Sequence, residues 1–117
     1  NRQNITFVNG DADNNTTYNN VPNDIDVVVI DCVHTYDAVI LDINRALNYY
    51  DGNKMYIVFD DYGHPTSTDV YHAIHHAIDS GLKIEKYIGH DIGYTVNRPD
   101  NTHFKLIQKE GIILSYG

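Results

Sequence analysis

The sequence predicts an α/β fold, a three-layer and mostly parallel sheet that finishes in antiparallel strands. Residues 27–30, Val-Val-Val-Ile, are apolar without alternation, the pattern of a strand buried on both faces, and they end at Asp31. A second run, residues 54–59, ends in the same way at Asp60-Asp61. Apolar residues then recur with a helical period over 36–50 and again to about residue 79, so strands alternate with helices and right-handed crossovers follow.

Taken in order, Ile5-Thr6-Phe7-Val8 reads as a short first strand closed by Asn9-Gly10. Residues 14–20, rich in Asn and Thr, read as a loop or a frayed helix, and Val21-Pro22-Asn23-Asp24 as a turn into the central strand. On the first helix Val39, Ile40, Ile43, Ala46, Leu47 and Tyr50 share a face opposite Asp37, Asn44 and Asn48. Thr35 is placed to cap it, Asp37 suits its first turn, and Asp51-Gly52-Asn53 stops it. After the second strand, Gly63-His64-Pro65 breaks the chain. Ser67 or Thr68 caps the next helix, whose inner face is Val70, Ala73, Ile74, Ala77 and Ile78, and Ser80-Gly81 ends it. Residues 83–88 and 93–96 read as separate strands, and Arg98-Pro99-Asp100-Asn101 as a turn. Residues 103–108 and 112–115 read as a terminal hairpin around Glu110-Gly111.

The chain has 117 residues, the size of one domain spanning 1–117. It starts at Asn1 and enters a strand almost at once, so a piece of a longer polypeptide is expected. A formal charge of −8 argues against nucleic acid or an anionic membrane surface as partner, since either calls for a basic face. No apolar run approaches the ~20 residues of a membrane span and no signal peptide is visible, so a cytoplasmic location is expected. Cys32 is the single cysteine, which leaves no disulfide framework and no Cys-rich zinc site; it reads as a small buried residue. His72 and His76, one helical turn apart, fall opposite Ala73, Ile74 and Ala77 and belong to a solvated face.

The chemistry gathers at the strand ends. Open α/β sheets place ligands at the carboxyl ends of their strands, where Asp31 and the pair Asp60-Asp61 fall. Carboxylates on adjacent strand ends suit Mg²⁺ or another hard divalent cation and leave positions for water or a chelating diol. His34 follows Asp31 by three residues, and a neutral imidazole near neutral pH can serve as a general base. The plainer alternative makes these acids turn and helix caps. Asp11-Ala12-Asp13 also fits the Asp-x-Asp letters of a nucleotide-sugar transferase, and a phosphoacceptor receiver domain would place its acidic pair after the first strand rather than here.

Val8-Asn9-Gly10-Asp11-Ala12 resembles the third-strand motif of class I S-adenosylmethionine-dependent methyltransferases, and the chain resembles the C-terminal half of their Rossmann-like fold. Ile30-Asp31-Cys32-Val33-His34-Thr35-Tyr36 and Phe59-Asp60-Asp61-Tyr62-Gly63 are similar to the metal-dependent sugar O-methyltransferases of the macrocin and mycinamicin type. The resemblance implies S-adenosylmethionine contacts at Asp11, Ala12 and Asp31, Mg²⁺ ligands at Asp31, Asp60 and Asp61, and His34 as the base. It implies a small-molecule or glycan hydroxyl as acceptor. The family's glycine-rich cofactor loop would precede Asn1, so an upstream part of the same polypeptide is an expected partner; a homo-oligomer is left open. The competing reading is a degenerate methyltransferase-fold module that binds or scaffolds without catalysis.

Overall fold

The computed structural model describes residues 4–64, 67–97 and 99–117. A 3₁₀ turn at Asn15–Tyr18 precedes β1 (Val27–Ile30), α1 (Tyr36–Leu47), β2 (Met55–Phe59), α2 (Thr68–Asp79), β3 (Lys83–Asn97) and β4 (His103–Tyr116). Among the described residues these strands form one sheet in the order β1-β2-β4-β3. Pro65 and Arg98, which the sequence reading put in a break and a turn, lie outside the described residues.

The sheet is mixed, which corrects the expectation of a mostly parallel one. Only β1 and β2 run parallel, joined through α1, while β4 pairs antiparallel with both β2 and β3. The reason lies in the connections. A helical crossover returns the chain to the same edge and gives a parallel neighbour, whereas a tight turn gives an antiparallel one. The chain leaves β3 through such a turn, with Asn101 at φ 65, and β4 inserts between β3 and β2.

β3 and β4 are each continuous, so the four short segments read from the sequence are two long strands. Irregular register at Ile84/Lys86 and Ile88/Asp91 accounts for the broken pattern in β3. Glu110-Gly111 is strand rather than turn. A Cβ on Gly111 would sit 2.7 Å from the Phe59 carbonyl oxygen and 2.8 Å from Ile88 Cγ1, so glycine is needed for the close approach of neighbouring strands.

The core lies on one face of the sheet. Met55, Ile57, Phe59, Ile112 and Leu114 are buried there against Val39, Ile43 and Ala46 of α1 and Val70, Ala73, Ile74 and Ala77 of α2. Val28 and Ile30 pack against the same cluster, but Val27 and Val29 on the opposite face are 54% and 67% exposed. The expectation that β1 is buried on both faces is therefore corrected, and among the described residues the fold has two layers rather than three. An unalternating apolar run does not say what covers its second face. Residues 5–8 form no strand; Phe7 is 88% exposed. Both helices begin where expected. Thr35 caps α1, its hydroxyl accepting from the Ala38 N–H at 3.3 Å, and Ser67 occupies the N-cap position of α2.

Candidate functional site

β1 and β2 are parallel neighbours with Ile30 opposite Phe59, so the loops that follow them leave the sheet side by side. Asp31 opens the first loop, and His34 sits just before the Thr35 cap. Asp60 and Asp61 open the second loop. One ligand atom from each of Asp31, His34 and Asp61 falls within 4.8 Å of the other two. His34 Nε2 lies 2.8 Å from Asp61 Oδ2, and His34 Nδ1 lies 3.4 Å from the Ser67 hydroxyl. The imidazole is thus held at both nitrogens by the loop after β2. Asp31 and His34 are exposed and Asp61 is half-buried, so the cluster faces solvent.

Asp60 stands beside this group and is not part of it among the described residues. Its carboxyl is held above the ordinary range by partial desolvation first, then by the negative charges of Asp61, Asp31 and Glu110, with His34 opposing them. Asp11 and Ala12 lie in a loop tied to its own next turn. The Asp11 carbonyl accepts from Asn14 N–H at 3.1 Å and from the Thr17 hydroxyl at 2.7 Å, and the Ala12 carbonyl accepts from the Tyr18 hydroxyl at 2.7 Å. The Asp11 carboxylate accepts from the Asp13 N–H at 2.9 Å. Cys32 is exposed, which corrects the expectation that it is buried, because it lies in the loop after β1 and lines an open groove. That groove, about 360 Å³, runs along β1 between Tyr18, Ile25, Val29, Cys32, Arg45 and Tyr49. His72 and His76 are exposed, as their helical positions predict.

Two features were not foreseen from the sequence. Ser67 was legible only as a cap, yet its side chain makes no cap hydrogen bond. Tyr62, one residue beyond Asp61, is buried against α2, where its hydroxyl meets His75 Nε2 at 2.7 Å. Burial is the main cause that raises the Tyr62 phenol well above its ordinary value and lowers the His75 imidazole below its own. Tyr62, Tyr71 and Tyr87 line a second cleft of about 370 Å³, with Gln108, Lys109 and Asp91 among its polar residues. Lys109 and Asp91 pair there at 2.7 Å. The spacing of Tyr71 and His75, one helical turn apart, was the available signal for a ring cluster.

A family model described as a methyltransferase domain matches residues 1–62. The chain belongs to the methyltransferase-domain family. The matched segment carries β1, α1 and β2 and includes Asp31, His34, Asp60 and Asp61, so the solvent-facing cluster is part of the methyltransferase domain itself. Ser67 and the tyrosines beyond Tyr62 lie past the matched segment. No curated protein and no solved structure matches the chain significantly. Among the described residues of the methyltransferase domain no helix is long and apolar enough to cross a membrane.

Proposed function

We propose that this methyltransferase domain serves a divalent-metal-assisted O-methyltransferase that uses S-adenosylmethionine and acts on a hydroxyl of a sugar or glycan, like the macrocin-type enzymes. The observation that carries this reading is the convergence of Asp31, His34 and Asp61 within 4.8 Å at the carboxyl ends of two parallel strands, in a chain of this family. The donor set fits the metal: two carboxylates suit Mg²⁺ or another hard cation, and the exposure of the cluster leaves positions for water and acceptor. A bound cation would lower the pKa of a hydroxyl placed against it and orient its oxygen.

The remaining work belongs to the chain. Asp31 and Asp61 would hold the cation, and Asp60 would supply further negative charge or a ligand oxygen from beside them. His34 takes the acceptor's proton at Nε2, the nitrogen that faces Asp61, in the tautomer that carries its own proton on Nδ1. The Asp11–Ala12 loop, preformed by its own hydrogen bonds, is available to the adenine end of the cofactor. The tyrosine-lined cleft begins one residue from Asp61. Its ring faces and balanced Lys109–Asp91 pair suit an uncharged hydroxylated ring. The exposed outer residues of β1 and the groove beside them offer a seat for an upstream part of the same polypeptide. A cytoplasmic setting accords with the exposed lone thiol of Cys32.

The test is transfer of labelled methyl from S-adenosylmethionine to methyl glycosides bearing a vicinal diol, with and without chelator, in the longest polypeptide that carries this chain. Transfer that stops in chelator and in Asp61→Asn supports the reading. Transfer that survives both removes the metal from it, and failure to bind the cofactor at all favours the scaffold reading instead.

A further inference from the structure

The Ser67 side chain is in an unusual position for its place in the fold. An N-cap serine ordinarily accepts a hydrogen bond from a backbone N–H of the first helical turn. Ser67 is the N-cap of α2, with φ −124 and ψ 42, yet its hydroxyl makes no such bond. The residue is 5% exposed, and its backbone is fixed on both sides: Ser67 N–H donates to the His64 carbonyl at 2.9 Å, and the Ser67 carbonyl accepts from Val70 N–H at 3.0 Å. The hydroxyl meets His34 Nδ1 instead, across from the loop after β1. We propose that Ser67 is a positioning residue for His34: its buried hydroxyl holds the ring by Nδ1, so that Nε2 faces the Asp61 carboxylate and whatever is bound there.

The chemistry of the hydroxyl favours this use. One ring nitrogen of a neutral imidazole donates and the other accepts, and the partner of one nitrogen decides the state of the other. The distances fit a neutral ring whose Nε2–H donates to Asp61 Oδ2 and whose Nδ1 accepts from the Ser67 O–H. If a cation were to draw Asp61 away, the exposed ring could lose its Nε2 proton to solvent and take one up at Nδ1; the same hydroxyl would then rotate to accept from Nδ1–H, leaving the Nε2 lone pair facing the acceptor. A serine can do both, whereas a carboxylate at this position could only accept. Because the group that orients the ring and the carboxylate that meets it come from the same β2–α2 loop, the imidazole has little freedom to turn away.

This inference rests on His34 as the proton acceptor, and its test begins with a measurement that needs neither acceptor nor cation. Ring ¹⁵N spectra of the chain, with the His34 signals assigned by His34→Gln, are recorded at a pH where the ring is neutral. The wild type is expected to show one dominant tautomer with the proton on Nε2, Ser67→Ala a mixture, and Ser67→Thr the wild-type pattern. Ser67→Gly serves as the second variant, since glycine is tolerated at an N-cap and also lacks the hydroxyl. In the active polypeptide Ser67→Ala is expected to lower kcat about tenfold with little change in KM, and Ser67→Thr to restore it. Identical His34 spectra in wild type, Ser67→Ala and Ser67→Gly would overturn the proposal whatever the activity. Altered spectra with an unaltered kcat would show that Ser67 orients the ring but that His34 is not the base, a failure of the functional reading alone.

Discussion

His34 Nε2 lies 2.8 Å from Asp61 Oδ2, joining the loops that follow β1 and β2 at the point where Asp31 also converges. The contact places a ring nitrogen against a carboxylate that a cation at this cluster would also use, so a cation and His34 compete for Asp61. Asp31→Asn and Asp61→Asn are each expected to weaken Mg²⁺ or Mn²⁺ binding by at least roughly tenfold, because each removes a charged oxygen ligand. Asp60→Asn is expected to weaken it less, since Asp60 stands outside the cluster. Calorimetric titration of the cation into wild type and the three variants decides this. Equal affinities throughout would mean that the cluster is a surface ion pair and not a metal site.

How much of this was legible in the sequence depends on which residues interact locally. Thr35 as a cap, the inner faces of α1 and α2, and the place of Asp31 and Asp61 just past their strand ends all follow from spacing along single elements, and the structure has them. The pairing of strands does not follow from spacing. Gly111 looked like a turn residue because nothing in its neighbourhood reveals that Phe59 and Ile88 press on it. Val27 and Val29 looked buried because β-branched residues are chosen for the strand whether or not a second layer covers them. In the site, Ser67 was hidden by its own good fit to a cap position; only the direction of its hydroxyl, toward a loop distant in sequence, reveals its second use.

Acid sensitivity should trace in part to His75. Burial lowers its pKa below the unfolded value of about 6.5, helped by His72 and opposed by Asp79. The unfolded chain therefore binds the proton more readily than the folded one, and stability rises with pH across this window. The contribution is complete above about pH 6.5 and is lost as the pH falls through that value toward the lower folded pKa. Thermal unfolding between pH 5 and pH 8 (roughly the range over which histidine titrates) should show the slope in wild type and a shallower one in His75→Gln. Equal slopes would place the sensitivity elsewhere, for instance among the carboxylates around Asp60.

Tyr62→Phe removes the phenol hydroxyl, with its hydrogen bonds to His75 and Tyr87, and keeps the ring. The ring packing against Tyr71 and Tyr87 is retained, with centroids 5.3 and 5.9 Å away in the wild type, while the 2.7 Å contact with His75 Nε2 is lost. The expected cost is about 1 kcal/mol, rising toward about 3 if His75 is left without a partner in its half-buried place. Urea unfolding measures it. The double variant Tyr62→Phe/His75→Phe should cost less than the sum of the singles, because removing both partners leaves no orphaned polar group.

Gly111→Ala asks whether β4 runs unbroken through Glu110-Gly111. A turn glycine at ordinary φ would accept alanine at little cost, and Gly111 has no positive φ to defend. In the continuous strand, however, the added methyl would stand 2.7 Å from the Phe59 carbonyl oxygen, which belongs to the strand that delivers Asp60 and Asp61. Backbone has to move to admit it, at a cost of about 1–3 kcal/mol. Leu114→Ala, at the fully buried position opposite Ile57, provides the scale, with an expected loss of about 2–5 kcal/mol from transfer and cavity terms together. Because the strain falls on the end of β2, Gly111→Ala should also weaken cation binding at Asp61, whereas Leu114→Ala should not while the protein remains folded. A stable Gly111→Ala variant with unchanged cation affinity would mean that β4 is broken at this point and that the Asp60-Asp61 loop is not braced by it.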